Sequence, residues 1–140
     1  MNKIKVGVLG ATGMVGQNYL RLLSNHPWFE VVDLSASNRS AGKSYLEAVN
    51  GKWLMNVDMP NQYKNMIVRD VKDVDSIPTK VEFFFSAVDL DNKEKTREFE
   101  FNYASLGFPV ISNSSANRWT NDVPMIIPEI NPHHSDIIPL

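Results

Sequence analysis

The chain has 140 residues, 43% hydrophobic and 21% charged, with a formal net charge of −2. That length gives one domain, residues 1–140, with room for a real core, and the balance excludes a disordered chain. A slightly acidic chain without a Lys/Arg run offers nucleic acid no basic stripe, and no apolar run approaches the ~20 residues of a membrane span. No secretory n-region opens the sequence, and the first motif lies too near Met1 for a targeting segment, so a cytoplasmic location is expected. Cysteine is absent, which excludes disulfides and thiolate metal sites.

The apolar run Ile4–Leu9 predicts a buried strand. It stops at Gly10-Ala11-Thr12-Gly13-Met14-Val15-Gly16, after which the pattern turns helical. A strand, a tight glycine turn and a helix start form the arrangement that holds a dinucleotide pyrophosphate. Gly10 permits the turn, Gly13 lets backbone approach phosphate oxygens, and Gly16 lets the helix pack closely on the strand. The helix start presents unpaired N–H groups and a partial positive charge to the anion. The helix is predicted over Met14–Ser24, with Val15, Tyr19, Leu22 and Leu23 on its apolar face.

Phe29–Ala36 reads as the second strand, followed by Ser37-Asn38-Arg39-Ser40-Ala41-Gly42-Lys43. An NAD site usually places an acid at this strand's end for the ribose 2′-hydroxyl. Here the loop carries hydroxyls, a guanidinium and an ammonium, which suit a 2′-phosphate, so NADP is the expected cofactor. Glu30 and Asp33 lie inside the strand rather than at its end. Tyr45–Trp53 forms a short helix or an irregular segment, and Val57–Asn65, with Pro60, is a surface excursion. Met66–Arg69 reads as a short strand and Val81–Ala87 as a strand buried on both faces. Asp91–Leu106 is predicted as a helix capped by Asp91 or Asn92 and closed by Gly107, with Phe99, Tyr103 and Leu106 as its stripe. Phe108–Ser112 returns as a strand. The alternation predicts an α/β fold, a Rossmann-type doubly wound, mostly parallel sheet with helices on both faces.

Ligands of such sheets sit beyond the carboxyl ends of the strands. Besides the glycine turn and the Arg39 loop, those ends carry Ser86-Ala87-Val88-Asp89 and Asn113-Ser114-Ser115-Ala116-Asn117-Arg118. Ser86 and Ala87 would border the dinucleotide. The Asn113–Arg118 loop could present hydroxyls, amides and a guanidinium to an anionic substrate, with Arg118 as a plain surface cation the alternative.

Taken in order, Gly10–Gly16, Ala36-Ser-Asn-Arg-Ser-Ala-Gly-Lys43, Phe85-Ser-Ala-Val-Asp89 and Val123-Pro-Met-Ile-Ile-Pro-Glu-Ile-Asn-Pro132 resemble the N-terminal domain of aspartate-semialdehyde dehydrogenases, particularly the archaeal and fungal-like branch. The resemblance spans essentially the whole chain. It implies NADPH-dependent reduction of aspartyl-4-phosphate, an acyl phosphate, to the semialdehyde in lysine, threonine and methionine synthesis. It also implies a homodimer or homotetramer. The turn residues Gly10, Thr12, Gly13, Met14, Val15 and Gly16 would bind pyrophosphate, and Ser37, Arg39 and Ser40 the 2′-phosphate. Arg118, and less directly Asn113, would hold the substrate.

The family's nucleophile is a cysteine thiolate whose thioester is readily reduced, and a histidine is its acid/base. The resemblance places both beyond Leu140, so these residues look like the cofactor half of the enzyme, with no catalytic residue of their own. His133 and His134 are adjacent and make a poor ligand pair, and no metal site is expected. Asn131 and Pro132 instead suit a helix start. Glu129 is read as a solvated carboxylate. N-acetylglutamyl-phosphate reductase and malonyl-CoA reductase share the architecture and remain alternatives, as does a stand-alone NADP-binding module.

Overall fold

β1 (Ile4–Leu9) lies at the centre of a five-stranded sheet and pairs with β2 (Phe29–Ala36) on one side and β4 (Phe83–Ser86) on the other. β3 (Arg69–Asp70) and β5 (Val110–Ser112) complete the order β3-β2-β1-β4-β5 in the computed structural model, which describes residues 2–139. Every strand pair is parallel, so the expected Rossmann-type α/β sheet is present in its wholly parallel form. Parallel strands need crossovers, and these bring helices onto both faces. α1 (Met14–Leu23) sets Leu20 and Leu23 against Val6, Val8 and Val31, while α4 (Lys93–Ser105) sets Tyr103 against Leu9 and Phe84. β4 is aromatic on both sides: Phe85 stacks on Tyr19 at 5.1 Å, and Phe84 meets Tyr103 edge-on at 5.1 Å. Among the described residues no helix is long and apolar enough to cross a membrane.

Several boundaries and faces differ from the sequence expectation. The buried face of α1 is Gly16, Gln17, Leu20 and Leu23, while Val15 and Leu22 are exposed. The buried residues of α4 are Thr96, Glu100 and Tyr103, and Leu106 lies outside the helix, exposed. Asn92, not Asp91, caps α4 by accepting the Lys95 N–H at 2.9 Å. Met66–Arg69 is not a sheet strand. The backbone of Val68 is taken by the preceding loop, accepting from Gly42 and donating to Lys43, so the chain joins β2 only at Arg69. β5 begins at Val110 because Pro109 has no N–H to give the ladder. α2 (Tyr45–Ala48) is a short helix within the range the sequence allowed one, and α3 (Asn61–Lys64) is a single turn inside the stretch read as a surface excursion. Asn131 and Pro132 do open the final 3-10 helix, Pro132–Ile137, but the Asn131 side chain makes no capping bond; its amide bonds Met125 O and the Ile127 N–H.

Asp33 explains how β2, β3 and α4 hold together. A bulge at Val32 shifts the β1–β2 register from Val6↔Val31 to Gly7↔Asp33. Asp33 then receives both Nε and Nη2 of Arg69, at 2.9 and 2.8 Å, with both side chains almost wholly buried. Nη1 of Arg69 reaches the carbonyls of Asp70 and Asp73 and the Tyr103 hydroxyl, which itself donates to Val71 O at 2.6 Å. Asp33→Ala would strand a buried guanidinium and is expected to cost about 3–5 kcal/mol, read as a lower urea midpoint. Glu30→Ala, which removes only the exposed pair with Lys5, should leave that midpoint unchanged.

Candidate functional site at the carboxyl ends of the strands

The glycine turn is shaped by two close approaches. Gly10 sits at φ +76°, and its N–H and that of Ala11 both donate to Ser35 O at 2.9 Å, which swings the chain off β1. A Cβ at Gly16 would lie 2.1 Å from the Gly10 carbonyl oxygen, so only glycine lets α1 start flush against the strand end. Gly13 differs. A Cβ there would meet nothing nearer than 3.8 Å, so the fold itself leaves that space open. Gly13 is the N-cap of α1, with no side-chain cap and no acid in the first turn. Among the described residues the N–H groups of Thr12, Met14, Val15 and Gly16 meet no acceptor. Met14 is 62% and Val15 37% exposed, so this donor-rich turn opens outward.

Beside it, the loop after β2 folds on itself. The N–H groups of Ser40 and Ala41 converge on Ser37 O at 2.9 and 3.2 Å, and Gly42, at φ +80°, donates to Val68 O. Ser37, Arg39 and Lys43 are exposed and Ser40 is half-buried. Among the described residues neither Arg39 nor Lys43 is ion-paired. The two acids of β2 do not compete here. Asp33 is consumed by Arg69, and Glu30 pairs with Lys5 near the opposite end of the strand. Tyr45, just past the loop, donates to Ala11 O at 2.7 Å and ties the loop to the glycine turn.

At the ends of β4 and β5 the side chains and the backbone part company. Ala87 does reach the turn, its carbonyl lying against Gly10. Ser86, however, is fully buried, and its hydroxyl donates to Glu100 at 2.9 Å, so only its backbone can border a ligand. Glu100 is buried and has no ion pair among the described residues. It also accepts from the hydroxyl of Ser112 and from Asn117 Nδ2 at 3.1 Å, joining β4, β5 and the following loop. One turn earlier on α4, Arg97 grips the Ala116 carbonyl through Nε at 3.1 Å and Nη2 at 2.7 Å. So braced, the loop brings Asn113 and Arg118 together: Nη2 of Arg118 donates to Asn113 O at 3.3 Å, and both residues are exposed.

The loops therefore follow the strand order: Arg39 loop, glycine turn, Ala87, then Asn113 with Arg118. Strands sit about 4.8 Å apart, which places the Arg118 loop roughly 10 Å along from the glycine turn. Farther on, His134 Nδ1 lies 2.9 Å from the backbone oxygen of Met125, an internal contact, and Glu129 is exposed. Sequence reasoning missed Gln17, Tyr45 and Glu100, buried polar side chains that touch the loops from behind, and Arg97, an exposed residue that braces the last loop.

The family model for the semialdehyde dehydrogenase NAD-binding domain matches residues 5–138. The chain is 44% identical over 138 residues to the aspartate-semialdehyde dehydrogenase of Archaeoglobus fulgidus, covering 97% of this chain and 37% of that protein. It is 40% identical over 132 residues to that of Saccharomyces cerevisiae, covering 94% and 34%. A crystal structure of the Candida albicans aspartate-semialdehyde dehydrogenase with NADP superposes with a TM-score of 0.85 at 36% identity, covering 96% of this chain and 36% of that one. The chain thus spans just over a third of the length of these relatives. With the parallel sheet, the open glycine turn and these matches together, the chain belongs to the semialdehyde dehydrogenase NAD-binding domain family.

Proposed function

We propose that these residues are the NADP-binding part of an aspartate-semialdehyde dehydrogenase, which reduces aspartyl-4-phosphate to the semialdehyde and releases phosphate. The observation that carries this reading is the uncapped, acid-free start of α1, lying beside a loop whose two cations have no ion-pair partner among the described residues. The N–H groups of Thr12, Met14, Val15 and Gly16 would take the pyrophosphate, with Gly13 giving its oxygens room. Ser37, Arg39 and Ser40 would take the 2′-phosphate, the guanidinium offering paired donors. The backbone at Ser86 and Ala87 would border the nicotinamide half, and Arg118 with Asn113 would meet the acyl phosphate. When bound, NADPH supplies the hydride for reduction.

The relatives' names favour the aspartyl substrate over the N-acetylglutamyl-phosphate and malonyl-CoA alternatives. The chain holds no cysteine, so a thiolate nucleophile would come from outside these 140 residues. Assembly as a homodimer or homotetramer in the cytoplasm belongs to the same proposal.

Fluorescence titration should give tighter binding of NADPH than NADH. Arg39→Ala should weaken NADPH about tenfold, the loss of one hydrogen bond to a charged group, and spare NADH. Equal or tighter NADH binding by the unmodified chain would overturn the NADP assignment.

The glycines separate ligand from fold. Gly13→Ala should weaken both nucleotides while shifting unfolding by no more than about 1 kcal/mol, whereas Gly16→Ala should destabilise by roughly 1–3 kcal/mol from overpacking. Unchanged affinity in Gly13→Ala would sink the pyrophosphate cradle. The 140-residue chain alone should show no phosphate-dependent oxidation of aspartate semialdehyde; turnover in a clean preparation would contradict the missing-nucleophile argument.

A further inference from the structure

Every carbonyl from Gly10 to Gly13 is held by a donor of the protein. Gly10 O accepts from the Gly13 N–H at 3.3 Å and Gly13 O from the Gln17 N–H at 2.8 Å. Ala11 O accepts from the Tyr45 hydroxyl at 2.7 Å, and Thr12 O from the Gln17 side-chain amide at 3.0 Å. The last two donors come from side chains with almost no exposure, Tyr45 at 0% and Gln17 at 1%. A peptide unit is planar, so its C=O and the next residue's N–H point in opposite directions. Holding Ala11 O inward therefore aims the Thr12 N–H outward, where it meets no acceptor among the described residues.

We propose that Tyr45 and Gln17 are positioning residues for the pyrophosphate: they pin the Ala11 and Thr12 carbonyls on the inner side so that the turn offers the anion donors only. This rests on the nucleotide-site reading above and names the groups that prepare it. A free carbonyl turned outward would repel phosphate oxygens and withdraw an N–H with the same rotation. Gln17 has no further donor to give. Its Nε2 also donates to Lys52 O at 2.9 Å, and its Oε1 accepts from the Leu54 N–H at 2.8 Å, which fastens residues 52–54 behind the turn. Burial, and secondarily the neighbouring Tyr63, push the Tyr45 phenol far above its ordinary pKa, so it stays protonated and remains a donor.

The test is Tyr45→Phe in the 140-residue chain, which keeps the ring in the core and removes only the hydroxyl. NADPH and NADH are titrated by fluorescence, and adenosine 2′-monophosphate, which lacks the pyrophosphate, by NMR. The expected result is an equal loss of about tenfold for both dinucleotides, near the upper range for one hydrogen bond, with adenosine 2′-monophosphate unchanged. Arg39→Ala should give the opposite pattern, weakening adenosine 2′-monophosphate and NADPH and sparing NADH. Gln17→Met should repeat the Tyr45→Phe pattern; where it fails to fold, Tyr45→Phe decides alone. Wild-type dinucleotide affinity in Tyr45→Phe overturns the inference, and so does an equal loss for all three ligands, which marks a general loosening. If the unmodified chain binds no NADPH, the nucleotide-site reading falls and the inference with it.

Discussion

The contact on which the rest of the site depends is the one between Gly16 and the carbonyl of Gly10. Their separation leaves no room for a methyl group, so α1 begins directly over the end of β1. That fixes both the position and the direction of the helix start. The first-turn N–H groups then face the space beyond the sheet rather than a neighbouring segment. A helix displaced by even one atom's width would lean its axis away from the strand end and spread those donors. The same contact seats Gln17 beneath the turn, where its amide can reach Thr12 O. A packing constraint thereby becomes an electrostatic one.

Behind the open loops stands a row of buried polar side chains, each tying together segments distant in sequence. Gln17 joins α1, the glycine turn and residues 52–54. Tyr45 joins the Arg39 loop to Ala11, Asp33 with Arg69 joins β2 to β3, and Glu100 joins β4, β5 and the Asn117 loop. Burying such groups is costly unless each is satisfied, and here Gln17 and Tyr45 are met by backbone groups of the loops, Glu100 by two serine hydroxyls and the Asn117 amide, and Asp33 by the Arg69 guanidinium. Exposed loops lack apolar area of their own, so hydrogen bonds from the interior are the means of ordering them.

This division also explains what the sequence made visible. The glycine turn, β1, β2 and the cation-bearing loop were legible because glycine spacing and unbroken apolar runs record backbone geometry directly. The faces of α1 and α4 were not, because apolar periodicity counts Val15, Leu22 and Leu106 as core and passes over Gly16, Gln17, Thr96 and Glu100. Val15 is exposed because it borders the open turn, and Glu100 is buried because three donors await it. At Ser86 the sequence shows a small polar residue at a strand end but not that its hydroxyl is turned inward to a partner on α4. The register at β3 was hidden by the pairing of Val68 with Gly42 and Lys43, which no local pattern announces.

Asp33 links the interior to cofactor choice. A carboxylate free at the end of β2 would attract a ribose hydroxyl and repel a 2′-phosphate. In this chain the bulge at Val32 sets Asp33 opposite Gly7, and Arg69 engages both of its oxygens. Its charge is compensated inside the protein before it can act at the surface. The loop above is left with Arg39 and Lys43 and no nearby acid of β2 to offset them. Under the proposed NADP reading, a preference for a 2′-phosphate would have two parts, the cations displayed by the loop and the carboxylate withdrawn beneath it. The second part is the harder to see, since Asp33 lies at about the sequence distance where an NAD-type acid would be sought. What distinguishes the two cases is the partner, and the partner is thirty-six residues away.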